Sequence, residues 1–198
     1  MIPVNEILRQ IKDEVMALSQ SPLYDERIAN MVYPVIGEGS HRARVMFIGE
    51  APGKNEAQTG RPFCGASGRV LDVLLAHIGL PREEVYITNI VKDRPPGNRD
   101  PKPEEIALYA PFLDRQIEAI QPKIIATLGR FSMQYMMERL GLQDQITSIS
   151  TMRGRVFNAA LASGPLKLVP MYHPAVAIYS RSSLPVLKAD MEVLKSLL

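Results

Sequence analysis

A single cysteine, Cys64, occurs among the 198 residues of this chain. The chain can therefore form no internal disulfide, and it cannot by itself build a metal or iron–sulfur centre that needs several thiolates. It also lacks any apolar run close to the roughly 20 residues that cross a bilayer. Its first residues, MIPVNEILRQIKDEV, are amphipathic and partly acidic, which predicts a helix rather than a signal peptide. Together these absences favour a protein of the reducing cytoplasm.

Strong charge of either sign is lacking too. With 23 basic and 21 acidic residues, the net charge of +2 permits a polyanionic partner without demonstrating one. No repeat or low-complexity tract is evident, so we interpret residues 1–198 as one domain and expect a monomer. Basic residues gather in two regions, although an ordinary solvated surface would explain many of them equally well. They lie beside the central motifs (Lys54, Arg61, Arg69, Lys92, Arg94 and Arg99) and around the C-terminal motif (Arg153, Arg155, Arg181 and Lys188).

Short apolar segments alternate with segments of helical periodicity along the chain. The predicted strands are 44–49, 85–91, 123–128 and 166–172, with weaker β signals at 31–33 and 152–157. The predicted helices are 5–20, 66–78, 103–120, 130–140 and 189–198, and the prolines and glycines of 19–40 predict irregular structure. This alternation predicts an α/β fold with a parallel sheet covered on both faces.

Polar or glycine-rich motifs follow the main predicted strands, at 49–53, 89–93, 129–130 and 173–174. The carboxyl ends of parallel strands share one edge of a sheet, and ligands of such proteins bind at that edge. We therefore expect these motifs to converge on one pocket.

The residue types in the motifs suit a flat, polar ring such as a nucleobase. The glycines of GEAPG allow close approach to the backbone beside Glu50, and Phe63 in GRPFCG can stack on a ring. Asn89 offers a donor and an acceptor together, and a neutral His173 can donate to an oxygen on which charge develops. GASG opens a helix whose N–H groups suit a phosphate. Taken singly, each motif also fits a structural role such as a tight turn, core packing, a loop cap or a buried histidine.

In order and spacing, these motifs resemble the uracil-DNA glycosylase superfamily, most closely the family 4 enzymes of bacteria and archaea. The matching segments include GEAPG, GRPF, ITN, RPPGNRDPKPEE, PKIIATLGRF, RGR and YHPA. The resemblance implies a three-layer αβα sandwich with a central four-stranded, mainly parallel sheet. It also implies an enzyme that flips uracil out of DNA and hydrolyses its N-glycosidic bond, leaving an abasic site.

The resemblance further implies a role for individual residues. Phe63 would stack on uracil, Asn89 would read its O4 and N3 edge, and His173 would donate to O2. The implied pocket consists of Gly49, Glu50, Ala51, Phe63, Asn89 and His173, with catalysis assigned to His173, Glu50 and Asn89. The implied DNA contacts are Ser67, Arg155, Pro174, Ala175 and Arg181.

Position 51 departs from the most active uracil glycosylases, which carry an aspartate there to align the attacking water; this chain has Ala51. The chain would therefore work more slowly, use Glu50 instead, or depend on departure of the uracil anion. A general base contributes about 10²–10⁴-fold, and a donor to uracil O2 can contribute about 3–4 kcal/mol. We give most weight to the leaving group and predict a dissociative cleavage with little activation of water.

Family 4 enzymes also hold a 4Fe–4S cluster with cysteines, and the corresponding positions here are Leu18, Ser21, Asp93 and Tyr109. Such a cluster needs thiolates, so we predict an iron-free protein without a cofactor. We expect Leu18 and Tyr109 to fill the vacated volume, and Ser21 and Asp93 to share a hydrogen bond.

Two alternatives stay open. Loss of the cluster permits a catalytically silent relative that binds DNA, a nucleotide or a protein, although the residues of the implied pocket are all retained. A glycosylase for another deaminated base is the second alternative. Covalent self-trapping on uracil-containing DNA is not expected, because no histidine-bearing insertion lies between Lys92 and Pro103.

Overall fold

The computed structural model describes residues 2–198, whose strands form one six-stranded sheet. The strands are β1 (Glu38–Gly39), β2 (Val45–Gly49), β3 (Tyr86–Asn89), β4 (Ile124–Leu128), β5 (Phe157–Leu161) and β6 (Gly164–Met171). Their spatial order is β1-β3-β2-β4-β6-β5, with the four inner strands parallel and the two edge strands antiparallel.

Helices cover both faces of this sheet. The longer ones are α1 (Val4–Met16), α2 (Pro22–Ala29), α4 (Ala66–His77), α5 (Pro103–Ile120), α6 (Arg130–Arg139) and α9 (Leu184–Lys195). The shorter ones are α3 (Lys54–Thr59), α7 (Ile149–Met152) and α8 (Val176–Tyr179). Within residues 2–198, no helix combines the length and the apolar character that crossing a membrane requires.

Strand β2 shows how the sequence builds the layers. All of its residues are buried, and successive side chains enter opposite hydrophobic cores. Met46 and Ile48 pack in the core formed with α1, α5 and α6, while Val45 and Phe47 pack in the core formed with α4 and α9. A strand that is buried on both faces is apolar throughout, and this confirms the predicted α/β sandwich.

The sheet has two more strands than the predicted four, namely β1 and β5. Both are edge strands, and their residues are only partly buried or exposed. A two-residue strand has no periodicity to detect. The weak β signal at 152–157 was misplaced, because α7 ends at Met152 and β5 begins at Phe157.

The segment 19–40 contains a helix instead of the predicted irregular structure and short strand. Helix α2 starts at Pro22, and the hydroxyl of Ser21 caps it by accepting from the Leu23 N–H at 3.1 Å. A serine followed by proline is an ordinary start signal for a helix, which the interpretation of this segment underweighted. The predicted strand at 31–33 is absent, and Met31 has a left-handed φ of 50°. The last helix begins earlier than predicted, at Leu184.

The inner strands all point their carboxyl ends at the same edge of the sheet. Glu50 follows β2, Asn89 ends β3, Arg130 follows β4 by one glycine, and His173 follows β6 by one residue. The polar motifs of the sequence therefore meet at one edge, as predicted.

Candidate active site

A cavity of about 290 Å³ opens at this edge of the sheet. Seven of the residues selected from the sequence line it: Glu50, Ala51, Phe63, Ser67, Asn89, His173 and Ala175. Residues to which the sequence assigned no place in the pocket complete the wall, namely Pro52, Gly53, Glu56, Pro95, Asn98 and Arg99. Most of these flank selected residues in the GEAPG and RPPGNRDP motifs, so proximity along the chain was the available signal.

Three residues pack tightly at the floor of the cavity. Gly49 pairs with Asn89 between β2 and β3, and a side chain at position 49 would start 2.3 Å from Asn89 Oδ1 and 2.8 Å from Phe63 Cζ. Only glycine leaves room for both side chains. Phe63 is buried and has a left-handed φ of 46°, an uncommon conformation for a bulky residue. Gly68 allows this turn, because a Cβ there would lie 1.8 Å from Phe63 O.

The side-chain oxygen of Asn89 is the most informative atom in the cavity. Asn89 is 2% exposed, and its Oδ1 has no hydrogen-bond partner anywhere in residues 2–198. Buried polar atoms are nearly always paired, and an unpaired one costs about 1–3 kcal/mol. Because this acceptor lies at the floor of a cavity and has no donor in the protein, it is suited to bind a ligand that carries an N–H group.

The imidazole of His173 is held as a neutral donor. Its Nδ1 accepts the N–H of Ala175 at 3.2 Å, which leaves the proton on Nε2 in the neutral ring. Burial lowers the pKa of His173 to about 4, and the nearby carboxylate of Glu56 opposes this only partly. The ring centre lies 5.6 Å from that of Phe63, so the aromatic ring and the imidazole share one end of the cavity.

Glu50 lies at the mouth of the same cavity, and its protonation equilibrium is also shifted toward the neutral form. Burial, reinforced by the negative charge of Asp100, raises the pKa of Glu50 to about 7, and Arg130 opposes the shift. Asp100 and Arg130 themselves form an exposed ion pair at 2.5 Å. A carboxyl group with this pKa is divided between its two protonation states near neutral pH.

Comparison with known proteins agrees with this geometry. Residues 36–195 match the sequence model of the Uracil DNA glycosylase superfamily. The chain belongs to this superfamily. It is 42% identical over 191 residues to the Type-4 uracil-DNA glycosylase of Sulfurisphaera tokodaii, covering 96% of this chain and 84% of that protein. It is 41% identical over 174 residues to the Type-4 uracil-DNA glycosylase of Archaeoglobus fulgidus, covering 88% of this chain and 84% of that protein.

A third relative places a similar segment in a larger protein. The chain is 32% identical over 166 residues to a DNA polymerase of Bacillus phage SP01, covering 83% of this chain and 17% of that protein. Most of this chain thus corresponds to one part of a much longer polypeptide in the phage.

Glu56 is a member of the pocket that the sequence interpretation missed. Its Oε1 accepts the backbone N–H groups of Cys64 at 3.0 Å and Gly65 at 2.7 Å. The carboxylate therefore ties α3 to the loop that carries Phe63 and ends at α4. It also occupies the N–H just before GASG and the N–H of its first glycine, so any phosphate there would have to use N–H groups farther into α4.

The basic residues near the motifs divide into buried, paired and exposed groups. Lys92 is fully buried and cannot reach DNA, while Arg61 and Arg99 form ion pairs with Glu38 and Glu105. Arg153 forms an ion pair with Asp190 and lies 5.4 Å over the ring of Tyr172. Arg155 and Arg181 are exposed, and neither forms an ion pair within the described part of the chain. They lie outside the cavity wall, whereas Pro174 is buried beside His173.

The positions that correspond to the cluster cysteines form a packed polar cluster. Tyr109 is fully buried, and its hydroxyl lies 2.6 Å from Asp93 Oδ2 and 2.9 Å from Ser21 Oγ. The expected direct bond between Ser21 and Asp93 is not present, because the Tyr109 hydroxyl stands between them. Leu18 is 8% exposed and packs in the same hydrophobic core as Tyr109.

Arg27 completes this cluster, and nothing in the sequence pattern marked it. It is 3% exposed, and its Nη1 donates to both carboxylate oxygens of Asp93, at 2.9 and 3.1 Å. It also donates to the carbonyls of Val15 at 3.1 Å and Met16 at 2.6 Å, at the end of α1. A residue 66 positions before Asp93 cannot be connected with it by local sequence reasoning.

These residues do not fit a 4Fe–4S cluster. The four equivalent positions supply a hydrocarbon, a hydroxyl, a carboxylate and a phenol, but no thiolate. The carboxylate is already bound to a guanidinium, and the phenol is hydrogen-bonded both to the hydroxyl and to that carboxylate.

Proposed function

We propose that this chain is a uracil-DNA glycosylase that hydrolyses the N-glycosidic bond of a flipped uracil and leaves an abasic site, as in base excision repair. The names of relatives that match nearly the whole chain support this proposal. The observation that carries it is the unpaired, buried Oδ1 of Asn89 at the floor of the cavity.

Asn89 and Phe63 would select the base. Uracil carries an N–H at N3 and a carbonyl at O4, which match the acceptor and the donor of a side-chain amide. Cytosine has an unprotonated N3 and an N4 amine, so with the Asn89 amide in the same orientation its Oδ1 meets no donor at N3 and its N–H meets a second donor at N4. The ring of Phe63 supplies a face on which either base could stack, and discrimination therefore rests on Asn89.

His173 would stabilise the departing base. Because its pKa is about 4, the imidazole is neutral near pH 7, and its Nε2–H can donate to uracil O2 without transferring a proton. Negative charge grows on O2 as the glycosidic bond breaks, so this hydrogen bond strengthens toward the transition state. A donor that acts in this way contributes about 3–4 kcal/mol.

Activation of water would be the smaller contribution. Ala51 offers no base, and Glu50 is only partly ionised near neutral pH because its pKa is about 7. We infer a dissociative cleavage in which the uracil anion departs first and water then captures the sugar cation. Glu50 in its ionised form would favour that cation electrostatically.

The finer parts of the proposal concern DNA, cofactors and setting. Arg155 and Arg181 would contact phosphates, while Ser67, Pro174 and Ala175 would contact the strand around the flipped nucleotide. The enzyme would work as a single domain and a monomer, without an iron–sulfur cluster. Its place would be in the bacterial or archaeal cytoplasm, at the nucleoid.

The test is alkali-revealed cleavage of a labelled oligonucleotide that contains one uracil. We expect cleavage by the wild type and losses of about 10²-fold or more for Asn89→Ala and His173→Ala, because each removes a transition-state contact. His77→Ala is the matched control, since His77 lies at the end of α4 and pairs with Glu192 outside the cavity.

Cleavage that both site variants retain would contradict the proposed pocket. If folded wild type binds the oligonucleotide but does not cleave it, the catalytic proposal fails and a silent DNA-binding relative takes its place. A parallel set of hypoxanthine, xanthine and thymine lesions identifies a different preferred base.

A further inference from the structure

Lys92 is a fully buried amine beside the candidate active site. Its Nζ donates to the backbone carbonyl of Asn89 at 2.6 Å, to Gln116 Oε1 at 2.7 Å and to Thr88 Oγ1 at 2.9 Å. Thr88 belongs to β3 and Gln116 to α5, so the amine sits between the sheet and a helix that covers it. It is the same lysine that the sequence alone grouped with surface cations.

Hydrophobic packing and ion pairing do not account for this lysine. Its partners are three neutral oxygens, and no ion pair of Lys92 occurs among residues 2–198. Burial without a counter-charge is costly and lowers the pKa of Lys92 well below its ordinary value. The contact with Asn89 does not depend on the charge, because a neutral amine still has two N–H groups, enough for the Asn89 carbonyl and Gln116 Oε1.

Asn89 needs a support of this kind. Its side chain forms no hydrogen bond within the described residues, so the position of Oδ1 depends on packing and on the backbone of residue 89. Residue 89 is the last of β3, and no backbone N–H outside the helices and strands of residues 2–198 donates to its carbonyl. Lys92 binds this carbonyl at 2.6 Å, the shortest of its three contacts, whereas the Thr88 hydroxyl lies 3.5 Å from it.

We propose that Lys92 is a positioning residue for base recognition: by binding the Asn89 carbonyl, it holds the Asn89 amide in the geometry that selects uracil. This inference rests on the proposed function of the cavity. Lys92 does not touch DNA or the base, since it has no exposed surface, and it acts through Asn89 alone.

The first experiment is a double-mutant cycle on uracil excision with Lys92→Met, Asn89→Ala and the combination. We expect Lys92→Met to lower kcat about 10- to 100-fold with little change in KM, because small misplacements of recognition groups have effects of this size. In the Asn89→Ala background, Lys92→Met should cause no further loss, because the residue through which it acts is gone.

Arg27→Met is the matched control, because it also replaces a buried cation with methionine but leaves Asn89 untouched. We expect it to lower the unfolding temperature without lowering kcat. Equal losses of kcat in both variants, or additive losses in the cycle, would overturn the inference and leave Lys92 with a general structural role. If Lys92→Met does not fold, Lys92→Gln replaces it, since the shorter side chain cannot keep all three contacts.

The second experiment does not require catalysis. Binding is measured to oligonucleotides that carry 2′-fluoro-2′-deoxyuridine, whose glycosidic bond resists hydrolysis, or 2′-fluoro-2′-deoxycytidine at the same place. We expect wild type and Arg27→Met to prefer the uracil oligonucleotide and Lys92→Met to lose most of this preference. If wild type prefers uracil but does not cleave, the catalytic proposal fails while the Lys92 inference is still tested. If wild type neither cleaves nor prefers uracil, both fail.

Discussion

Burial shifts the pKa values of Glu50 and His173 in opposite directions. Burial raises the pKa of Glu50 to about 7 and lowers the pKa of His173 to about 4, so each is moved toward its neutral form. A cavity that disfavours charge in its own side chains suits a reaction in which charge develops on the substrate and meets fixed donors. The two pKa shifts therefore favour a mechanism that stabilises the leaving group over one that depends on a strong general base.

The variant Glu50→Gln tests the raised pKa of Glu50 through the pH dependence of stability. The unfolded carboxyl ionises near 4.5 and the folded one near 7, so the folded state binds more protons between these values. Wild-type stability therefore falls as pH rises through this window, and the loss is complete above about pH 7. We expect Glu50→Gln to be more stable than wild type near pH 8, by about 1 kcal/mol because solvent screens a partly exposed group. Urea unfolding at both ends of the window measures this.

The same variant should lose only about 10-fold in excision rate, which is less than the roughly 10²–10⁴-fold that a full general base contributes. In single-turnover assays we expect the wild-type rate to rise around pH 7, where Glu50 ionises, and we expect this rise to be absent in Glu50→Gln. Glu104→Gln, an exposed carboxylate on α5, serves as the control and should change neither property. A rate loss as large as that of His173→Ala would show that Glu50 is the main base and would contradict the dissociative mechanism.

Among the elements, the polar cluster of Ser21, Arg27, Asp93 and Tyr109 connects four separate parts of the chain by hydrogen bonds. It joins the end of α1, the start of α2, the segment after β3 and the middle of α5. Burial raises the pKa of Asp93, and the hydrogen bonds from Tyr109 and Arg27 oppose that shift. These links connect the chain around the positions where relatives of family 4 would use cluster cysteines.

Arg27→Met should destabilise the protein by about 3–5 kcal/mol, because it leaves a carboxylate buried without its partner. Replacing both partners, as in Arg27→Met with Asp93→Leu, should recover much of that loss, since no buried charge is then left alone. Urea unfolding measures both. Arg9→Met is the control, because its exposed pair with Glu6 is worth only about 0.2–1 kcal/mol.

Iron and sulfide analysis of the same preparations accompanies these measurements. Wild type that is fully folded without iron agrees with a polar cluster that replaces the cofactor. Stoichiometric iron in wild type, or an Arg27→Met variant as stable as wild type, would contradict it.

At this scale the sequence predicted the inner strands and most long helices, because apolar periodicity and glycine or proline boundaries are local signals. Helix α2 and the edge strands were not predicted correctly. Strand β1 has two residues, and β5 is partly exposed, so neither carries a strong pattern. What makes them strands is pairing with β3 and β6, which local sequence does not reveal.

Over the whole molecule, a net charge of +2 says little, because several cations near the motifs, among them Lys92, Arg61 and Arg99, are buried or paired. Arg155 and Arg181 are exposed without an ion pair among residues 2–198, as are Lys54 and Arg69, and Arg181 follows α8 shortly after the His173 motif. Each of these four residues is available to bind a phosphate backbone without first breaking an internal ion pair.

Arg155→Ala and Arg181→Ala should each weaken binding to DNA with and without uracil, because phosphate contacts do not depend on sequence. The slope of log affinity against log salt should decrease by about 1 for each variant. Fluorescence anisotropy over a range of salt concentrations measures this, with Arg9→Ala on α1 as the control. An unchanged slope in either variant would remove that arginine from the DNA interface.

By itself, the sequence determined the α/β class, the edge of the sheet where the site lies and the residue types gathered there. Apolar runs, turn residues and motif order are local properties that survive without knowledge of distant contacts. Only the tertiary structure decided that Asn89 Oδ1 is unpaired, that Lys92 is buried beneath it, and that Arg27 joins Asp93. Burial and ion pairing depend on which distant groups meet in the fold. From the sequence alone, a buried lysine or arginine cannot be distinguished from one on the surface.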